Sequence, residues 1–337
     1  MNNTPITIAS GKEFVVDDCK NPIGQYISYV NEIYELEMKI NQKEGKKNDI
    51  KGKSSKHFFF RGQSNKKWEL QPSVLRNTKY NEKELVLDFY HYGHLHSFNY
   101  DLDNDIVSLL TDMQHYEVPT RLLDWSLSPL SALYFAVESI KNEPNVRKEI
   151  VRKIEICRSF GSKDIKREEI KITNYKTDAI VYVLNPWNFN KEILEDNSKN
   201  YNFHPKIQDS YLFARALLSI YKQEDFCFIQ KYVCKKFDYN INKDDIKKPF
   251  AFVSNFTNSR MEHQRGVFTI HGVDRNIDLK EEKCFKTNAY KIIINNDVKH
   301  KIYEQLNFLY INEYTQYPDI KGIKEIVKNR KGFFNIN

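Results

Sequence analysis

Glycine, proline and cysteine are all scarce in this sequence, and each shortage argues against a class of protein. Eleven Gly and ten Pro in 337 residues are too few for long disordered linkers. The five cysteines are odd in number and widely spaced, without a C-x-x-C pair. That pattern argues against a disulfide framework and against a cysteine-rich zinc site. We therefore expect a reducing, cytoplasmic location.

Long apolar runs and familiar catalytic signatures are missing as well. No run approaches the length that spans a bilayer, and residues 1–14 lack the basic and apolar segments of a secretory signal. The sequence has no G-x-G-x-x-G, no G-x-x-x-x-G-K and no H-E-x-x-H motif. We expect no membrane association and no metal.

The positive charge is concentrated in two stretches. The net charge is +7, but Lys39 to Lys56 alone carries seven Lys against two acids, and Lys141 to Lys171 carries ten basic residues against six acids. Neither stretch interleaves aromatic side chains with the basic ones as a stacking surface for bases would. Both are better explained as solvated insertions, so nucleic-acid binding is not expected.

Apolar and aromatic residues are plentiful, at 40% and 14% of the chain, which is enough for a sizeable core. Short predicted strands are interrupted by helices without a regular β-α-β rhythm, which favours an α+β fold with a mixed or antiparallel sheet and flanking helices. The predicted strands are His57 to Gly62, Thr120 to Trp125 (or an extended turn), Asp178 to Leu184, Pro249 to Phe256, Val267 to Ile270 and Ala289 to Ile294. The predicted helices are Asn21 to Tyr34, Asn81 to Tyr92, Asp105 to His115, one capped by Ser128, His300 to Phe308 and Gly322 to Val327.

Three segments organise the chain in this prediction. Residues 1–56 form an N-terminal helix and a lysine-rich surface loop from Asn41 to Lys56. Residues 57–275 form the core, with a charged excursion of helix and loop near 141–176. Residues 276–337 supply a strand and helices that pack on the core.

Polar side chains stand where predicted strands stop. Arg61 is placed at a strand end, where its guanidinium suits a phosphate or carboxylate and Gly62 would let a ligand approach the backbone. The alternative for Arg61 is a buried pair with Asp or Glu. Arg121 and Asp124 form either a structural brace before the next helix or part of a ligand site. His115 is either a satisfied core histidine or a functional group.

Three motifs resemble the FRG-domain family in the order expected for it. They are Phe60-Arg61-Gly62-Gln63 with Trp68 to Arg76, Gln114 to Ser126 running into Ser128 to Ala136, and Arg260 to Phe268. The resemblance covers most of the chain from about Lys20 onward, apart from the charged insertions. Val118 departs from it, since the family usually has Gly there, and should restrict the backbone. Trp68, Pro72, Tyr134 and Phe135 are read as packing residues.

The order of these motifs also resembles ADP-ribosyltransferases at the level of the fold. That resemblance implies an Arg that clamps the pyrophosphate of NAD, a serine-bearing strand that leads into a helix, and a late acidic residue on a short strand. Breaking the glycosidic bond of NAD develops oxocarbenium character that a carboxylate stabilises. The implied catalytic residues are Glu262, Gln264 and Asp124, and the implied cofactor-binding residues are Arg61, Gly62, Gln63, His115, Thr120, Arg121, Ser126 and Arg260.

Two other functions stay open. The same arginines could hold a nucleotide or another anion without reaction, as a sensor. A metal-dependent nuclease is less favoured because the motifs supply more Arg and Gln than acidic ligands. We expect a nucleotide-like small molecule as the partner, with NAD as the leading cofactor.

Overall fold

The structure is a computed structural model. It describes residues 13–45, 58–96, 98, 100, 106–142, 147–156, 165–173, 177–195, 249–253, 258–271 and 278–318. Within these ranges, no helix is long and apolar enough to cross a bilayer. No three His, Cys, Asp or Glu side chains gather as metal ligands in the same ranges.

A mixed seven-stranded sheet forms the centre of the molecule, so the predicted α+β class is confirmed. The strands are β1 (Glu13–Val16), β2 (Phe59–Gln63), β3 (Leu122–Ser126), β4 (Arg147–Ile156), β5 (Ile165–Thr173), β6 (Ala179–Leu184), β7 (Phe250–Phe252), β8 (Gly266–Ile270) and β9 (Ala289–Ile294). The order in the sheet is β1-β9-β6-β2-β3-β8-β7, with β1 parallel to β9 and the other neighbours antiparallel. A second sheet pairs β4 with β5.

Helices cover both faces of the sheet, and apolar side chains alternate between these faces along the strands. In β2, Phe60 packs in one core cluster with Ala132, while its neighbour Phe59 packs in another with Phe189 on the other face. The helices are α1 (Pro22–Gly45), α2 (Ser73–Arg76), α3 (Glu82–Gly93), α4 (Ile106–His115), α5 (Pro129–Val137), α6 (Pro186–Glu195), α7 (Ser259–Gln264), α8 (Lys283–Asn288), α9 (Lys299–Phe308) and α10 (Glu313–Gln316). Short 3₁₀ turns are His94–His96, Glu138–Asn142, Leu279–Glu281 and Asn296–Val298.

Helix α5 lies directly against β2, and Gly62 makes this approach possible. A Cβ atom built on Gly62 would stand 1.8 Å from the carbonyl oxygen of Ala132 and 2.6 Å from the backbone nitrogen of Ala136. Backbone atoms cannot yield by that amount, so no side chain fits at this position. The helix begins as predicted, with the Ser128 side chain accepting a hydrogen bond from the amide of Ser131 at 3.2 Å.

Strands β2 and β3 are neighbours but pair at one position only, Phe60 with Ser126. By contrast, β2 pairs along its whole length with β6, and β3 pairs along its whole length with β8. Beyond the single pair, β2 and β3 separate within an otherwise continuous sheet. The residues that follow it on β2, and those that precede it on β3, therefore line a gap between two strands.

Several predicted elements need correction. Within 141–176 the structure has the antiparallel pair β4 and β5 in place of the predicted helix and loop, because isoleucines recur among the charges and favour strands. Helix α1 continues to Gly45, so the start of the predicted loop at 41–56 is helical. Arg61 lies in the middle of β2, not at its end. Glu262 and Gln264 lie on helix α7, not on a strand.

Two other predictions concern the C-terminal residues and the division of the chain. The predicted helix at Gly322 to Val327 lies outside the described residues. The division into three segments stays a prediction, although the central sheet draws β1, β2 and β9 from all three of them.

Candidate functional site

A cleft with a volume of about 960 Å³ opens where β2 and β3 separate. Its walls are mixed in charge and include several aromatic rings. The basic residues of the lining are Arg61, Lys67, Arg76 and Arg260, and the acidic ones are Glu69, Glu117, Asp124, Glu138 and Glu313. The aromatic residues are Phe60, Trp68, Trp125, Phe135, Phe268 and Tyr317.

Arg61 projects from β2 into this cleft. Its Nη1 donates a hydrogen bond of 2.5 Å to the backbone oxygen of Asp124 on β3, so the guanidinium bridges the gap between the strands. Its Nε is buried and has no hydrogen-bond partner among the described residues. Burial lowers the pKa of Arg61 to about 10, Asp124 opposes the shift and Arg76 adds to it. The group still carries its charge at neutral pH and has donors to spare.

The Asp124 carboxylate is held by a relay of side chains. Gln114 at the end of α4 donates from Nε2 to Asp124 Oδ2 at 2.7 Å and accepts at Oε1 from the hydroxyl of Thr120 at 2.5 Å. The Thr120 oxygen in turn accepts from the amide of Leu122 at 3.1 Å. Asp124 is exposed and lines the cleft, so its second carboxylate oxygen is open to a ligand.

Ser126 and Gln264 join the third motif to the end of β3. The Ser126 hydroxyl donates to the backbone oxygen of Gln264 at 2.6 Å and accepts from the amide of Ser128 at 2.9 Å. The Gln264 side chain donates to the backbone oxygen of Gln316 at 2.9 Å. Arg265 adopts a left-handed conformation with φ 50° and ends α7. The side chains of Ser126 and Gln264 both line the cleft, but both already make hydrogen bonds within the protein.

The far wall of the cleft is made by Tyr317 and its neighbours. The guanidinium carbon of Arg260 lies 4.6 Å above the centre of the Tyr317 ring, a cation–π contact. Arg260 also donates to the backbone oxygen of His115 at 3.4 Å, and the Tyr317 hydroxyl lies 3.3 Å from a carboxylate oxygen of Glu138. Burial raises the pKa of Tyr317, with Glu138 adding to the shift, so the hydroxyl stays protonated.

Arg121 lies outside the cleft and pairs with Glu82 of α3. Its Nε and Nη2 donate to the two oxygens of Glu82 at 3.1 and 3.0 Å, and its Nη1 donates to the backbone oxygen of His271 at 3.3 Å. Both side chains are more than 90% buried. The predicted brace therefore exists, but its acid is Glu82 rather than Asp124.

The structure brings together most of the predicted site residues. Those that line one cleft are Arg61, Gly62, Gln63, His115, Asp124, Ser126, Arg260 and Gln264. Thr120 and Arg121 are buried behind it, and Glu262 is exposed on α7 outside the lining. The close approach that Gly62 permits is with helix α5. The roles of the predicted site residues in binding and catalysis stay predictions.

Sequence reasoning missed several residues of the cleft. Gln114 stands inside the second motif, where a polar residue on the last turn of an apolar helix was the available signal. Trp68 was read as a packing residue, yet 54% of it is exposed at the edge of the cleft. Glu138 and Tyr317 are far apart in the sequence, and nothing in it indicates that they meet. The left-handed residue near the unusual Val118 is Glu117, with φ 64°, where α4 ends.

The FRG domain model matches residues 56–145, a range that runs from the start of β2 to just beyond α5. That range holds Arg61 and Asp124 of the cleft, whereas Arg260 and Gln264 lie beyond it. No curated protein and no solved structure matches the chain. The matched range contains β2, β3 and helix α5, so the part of the chain that forms the Arg61 side of the cleft carries an FRG domain.

Proposed function

We propose that the cleft binds NAD or a closely similar nucleotide and cleaves its N-glycosidic bond, as an ADP-ribosyltransferase or an NAD glycohydrolase. One observation carries the proposal: the partly buried Arg61 side chain faces the cleft with a buried Nε that has no partner among the described residues. A buried charge is usually matched by an acid or by a ligand. Among the described residues, the Arg61 side chain donates only to the backbone oxygen of Asp124, so an anionic ligand is the partner that fits.

Arg76 strengthens the case for an anion. It lines the same cleft, and its charge acts on Arg61 strongly enough to lower the pKa of that residue further. Its Nε is occupied by the backbone oxygen of Gln71 at 2.7 Å, which orients the guanidinium. Two guanidinium groups in one cleft suit a pyrophosphate, because each can donate two parallel hydrogen bonds to phosphate oxygens.

Asp124 supplies the group that cleavage needs. Its carboxylate stands beside Arg61, fixed by Gln114 and open on one oxygen, so it lies close to a ribose whose phosphate is on Arg61. When nicotinamide leaves with the bonding electron pair, positive charge develops on the ribose, and a preoriented carboxylate stabilises it. Water then attacks the ribose in a glycohydrolase, or an acceptor nucleophile attacks it in a transferase, and a proton is released.

A sensor that binds the nucleotide without cleaving it is the second candidate. Ser126 and Gln264 both spend their polar groups on contacts within the protein, and Gln264 cannot act as a base. Glu262, the acid implied by the resemblance to transferases, is outside the cleft lining. Binding without turnover would favour this function.

Calorimetry of the full chain with NAD and with ATP tests the site. Arg61→Lys keeps the charge but loses the fork, so the free energy of NAD binding should weaken by about 1–3 kcal/mol. Arg265→Lys, an exposed site outside the cleft, is the matched control and should bind as the wild type does. If neither nucleotide binds the wild-type protein, the proposal is wrong.

Release of nicotinamide separates enzyme from sensor. Asp124→Asn removes the carboxylate charge while keeping the shape, and turnover should fall at least a hundredfold. Asp88→Asn on the exposed side of α3 is the control. Turnover that survives Asp124→Asn but disappears in Glu262→Gln would contradict the assignment of the cleft.

A further inference from the structure

Two buried polar atoms of opposite kind stand without partners in the same strand. One is Nε of Arg61, a donor, and the other is Oε1 of Gln63, an acceptor; neither has a hydrogen-bond partner within the described part of the chain. Gln63 is only 5% exposed, and both residues line the cleft. An unsatisfied buried polar atom costs stability, so two in one place need an explanation.

The orientation of the Gln63 amide follows from its neighbour. Its Nε2 donates to the backbone oxygen of Glu69 at 3.3 Å, and a carbonyl oxygen can only accept, so the nitrogen must face Glu69. The Gln63 oxygen is therefore the atom left over. Because Gly62 separates Arg61 from Gln63 along β2, the two side chains leave the strand on the same face, from Cα atoms about 6–7 Å apart.

This pair of atoms fits a ligand that presents a hydrogen-bond acceptor to Arg61 Nε and a donor to Gln63 Oε1. A phosphate oxygen supplies the acceptor, and a hydroxyl of the ribose that carries the phosphate supplies the donor. We propose that Gln63 accepts a hydrogen bond from a ribose hydroxyl while Arg61 holds the adjoining phosphate. The cleft thereby selects a ribose phosphate over a bare phosphate. This inference rests on the proposed nucleotide site and names the residue that recognises its sugar.

Calorimetry with two probes tests the assignment in the full chain. ADP-ribose carries both groups, whereas inorganic pyrophosphate has no ribose hydroxyl. Gln63→Met keeps the length of the side chain and removes the acceptor, so affinity for ADP-ribose should fall about fivefold to tenfold while affinity for pyrophosphate stays unchanged. Arg61→Lys should weaken the binding of both probes. Equal loss for both probes in Gln63→Met, or loss for neither, would overturn the sugar-reading role.

The two proposals fail in different ways. Wild-type protein that binds no ADP-ribose removes the nucleotide site and the sugar subsite together. Binding of ADP-ribose that is unchanged in Gln63→Met removes only the subsite.

The melting temperature without ligand gives a second measure of the role of Gln63. Gln63→Met deletes an unsatisfied buried acceptor but also the hydrogen bond to the backbone oxygen of Glu69, so the two effects oppose each other and the variant should melt close to the wild-type temperature. A drop of several degrees would show that Gln63 serves the fold instead.

Discussion

Two arginines, the partly buried Arg61 and the buried Arg121, differ in how their donors are satisfied. The charge of Arg121 is matched by the Glu82 carboxylate, its Nη1 donates to the backbone oxygen of His271, and the pair is buried. Arg61 has no carboxylate in salt-bridge contact among the described residues and one Nε without a partner, and it faces a cleft. The sequence around both is similar, an arginine beside apolar residues.

The hydrogen-bond and ion-pair partners of each arginine distinguish a structural role from a functional one. A complete set of partners leaves a side chain nothing to offer a ligand, and its removal should be felt in stability. An arginine with unsatisfied donors lowers the stability of the free protein, and a bound ligand restores that stability. Each experiment below acts on one side of this contrast.

Glu82→Gln should have the largest effect on stability. It leaves the Arg121 charge buried against a neutral amide, which should lower the free energy of unfolding by about 3 kcal/mol. Urea unfolding measures the loss, and Glu84→Gln, exposed on the same turn of α3, is the control. A loss as small as that of the control would mean that the pair does not hold α3 to β3.

Acid should weaken the fold through His271, which lies near both arginines. Burial lowers its pKa to about 3, and Arg61 and Arg121 add to the shift. The unfolded chain binds this proton below its ordinary pKa of 6.5 and the folded chain does not, so stability is full above pH 6.5 and falls from there toward pH 3. The loss from this group alone should be about 2 kcal/mol at pH 5.

Urea unfolding at pH 7.5 and pH 5 checks this prediction. In His271→Gln the difference between the two pH values should shrink, whereas in His91→Gln, an exposed histidine on α3, it should match that of the wild type. An unchanged difference in His271→Gln would show that groups other than His271 cause the acid sensitivity.

Gln114→Ala should have the smallest effect. The Gln114 side chain bonds to both Thr120 and Asp124. Thr120 precedes Arg121 in the sequence and Asp124 contacts Arg61, so Gln114 connects the surroundings of the two arginines. Its contacts are partly exposed, and their loss should cost about 1 kcal/mol. A double-mutant cycle with Asp124→Ala isolates the hydrogen bond, and additive effects of the two changes would mean that it contributes nothing.

The elements with a clear periodicity were predictable from sequence. Asp178 to Leu184 is an unbroken apolar run and forms β6, and Ser128 followed by proline starts α5 as its cap chemistry indicates. The residues 141–176 were mispredicted because their charge was weighed above their isoleucines, which favour strands. The bounds of β2 were nearly right, but Arg61 lies within that strand, since an arginine can line a gap in a sheet as readily as its edge.

The site was predictable only in part, because several of its contacts join residues that are far apart in the sequence. The motifs identified Arg61, Asp124 and Gln264, and the structure places all three on one cleft. The partner of Arg121 could not be read, because Glu82 lies 39 residues away and only the packing of α3 brings it close. The contact of Glu138 with Tyr317 spans 179 residues and depends on the fold of the whole described chain.

The single pairing between β2 and β3 makes the cleft a property of the main chain rather than of the side chains that line it. Its position is set by where two strands part and by a glycine that seats a helix beside them. Side chains on its walls that make no contact across the gap can therefore be exchanged without moving the opening, so long as Gly62 is kept. Changes at a few such residues, for example Trp68, could give the same scaffold a new ligand specificity, in evolution or by protein engineering.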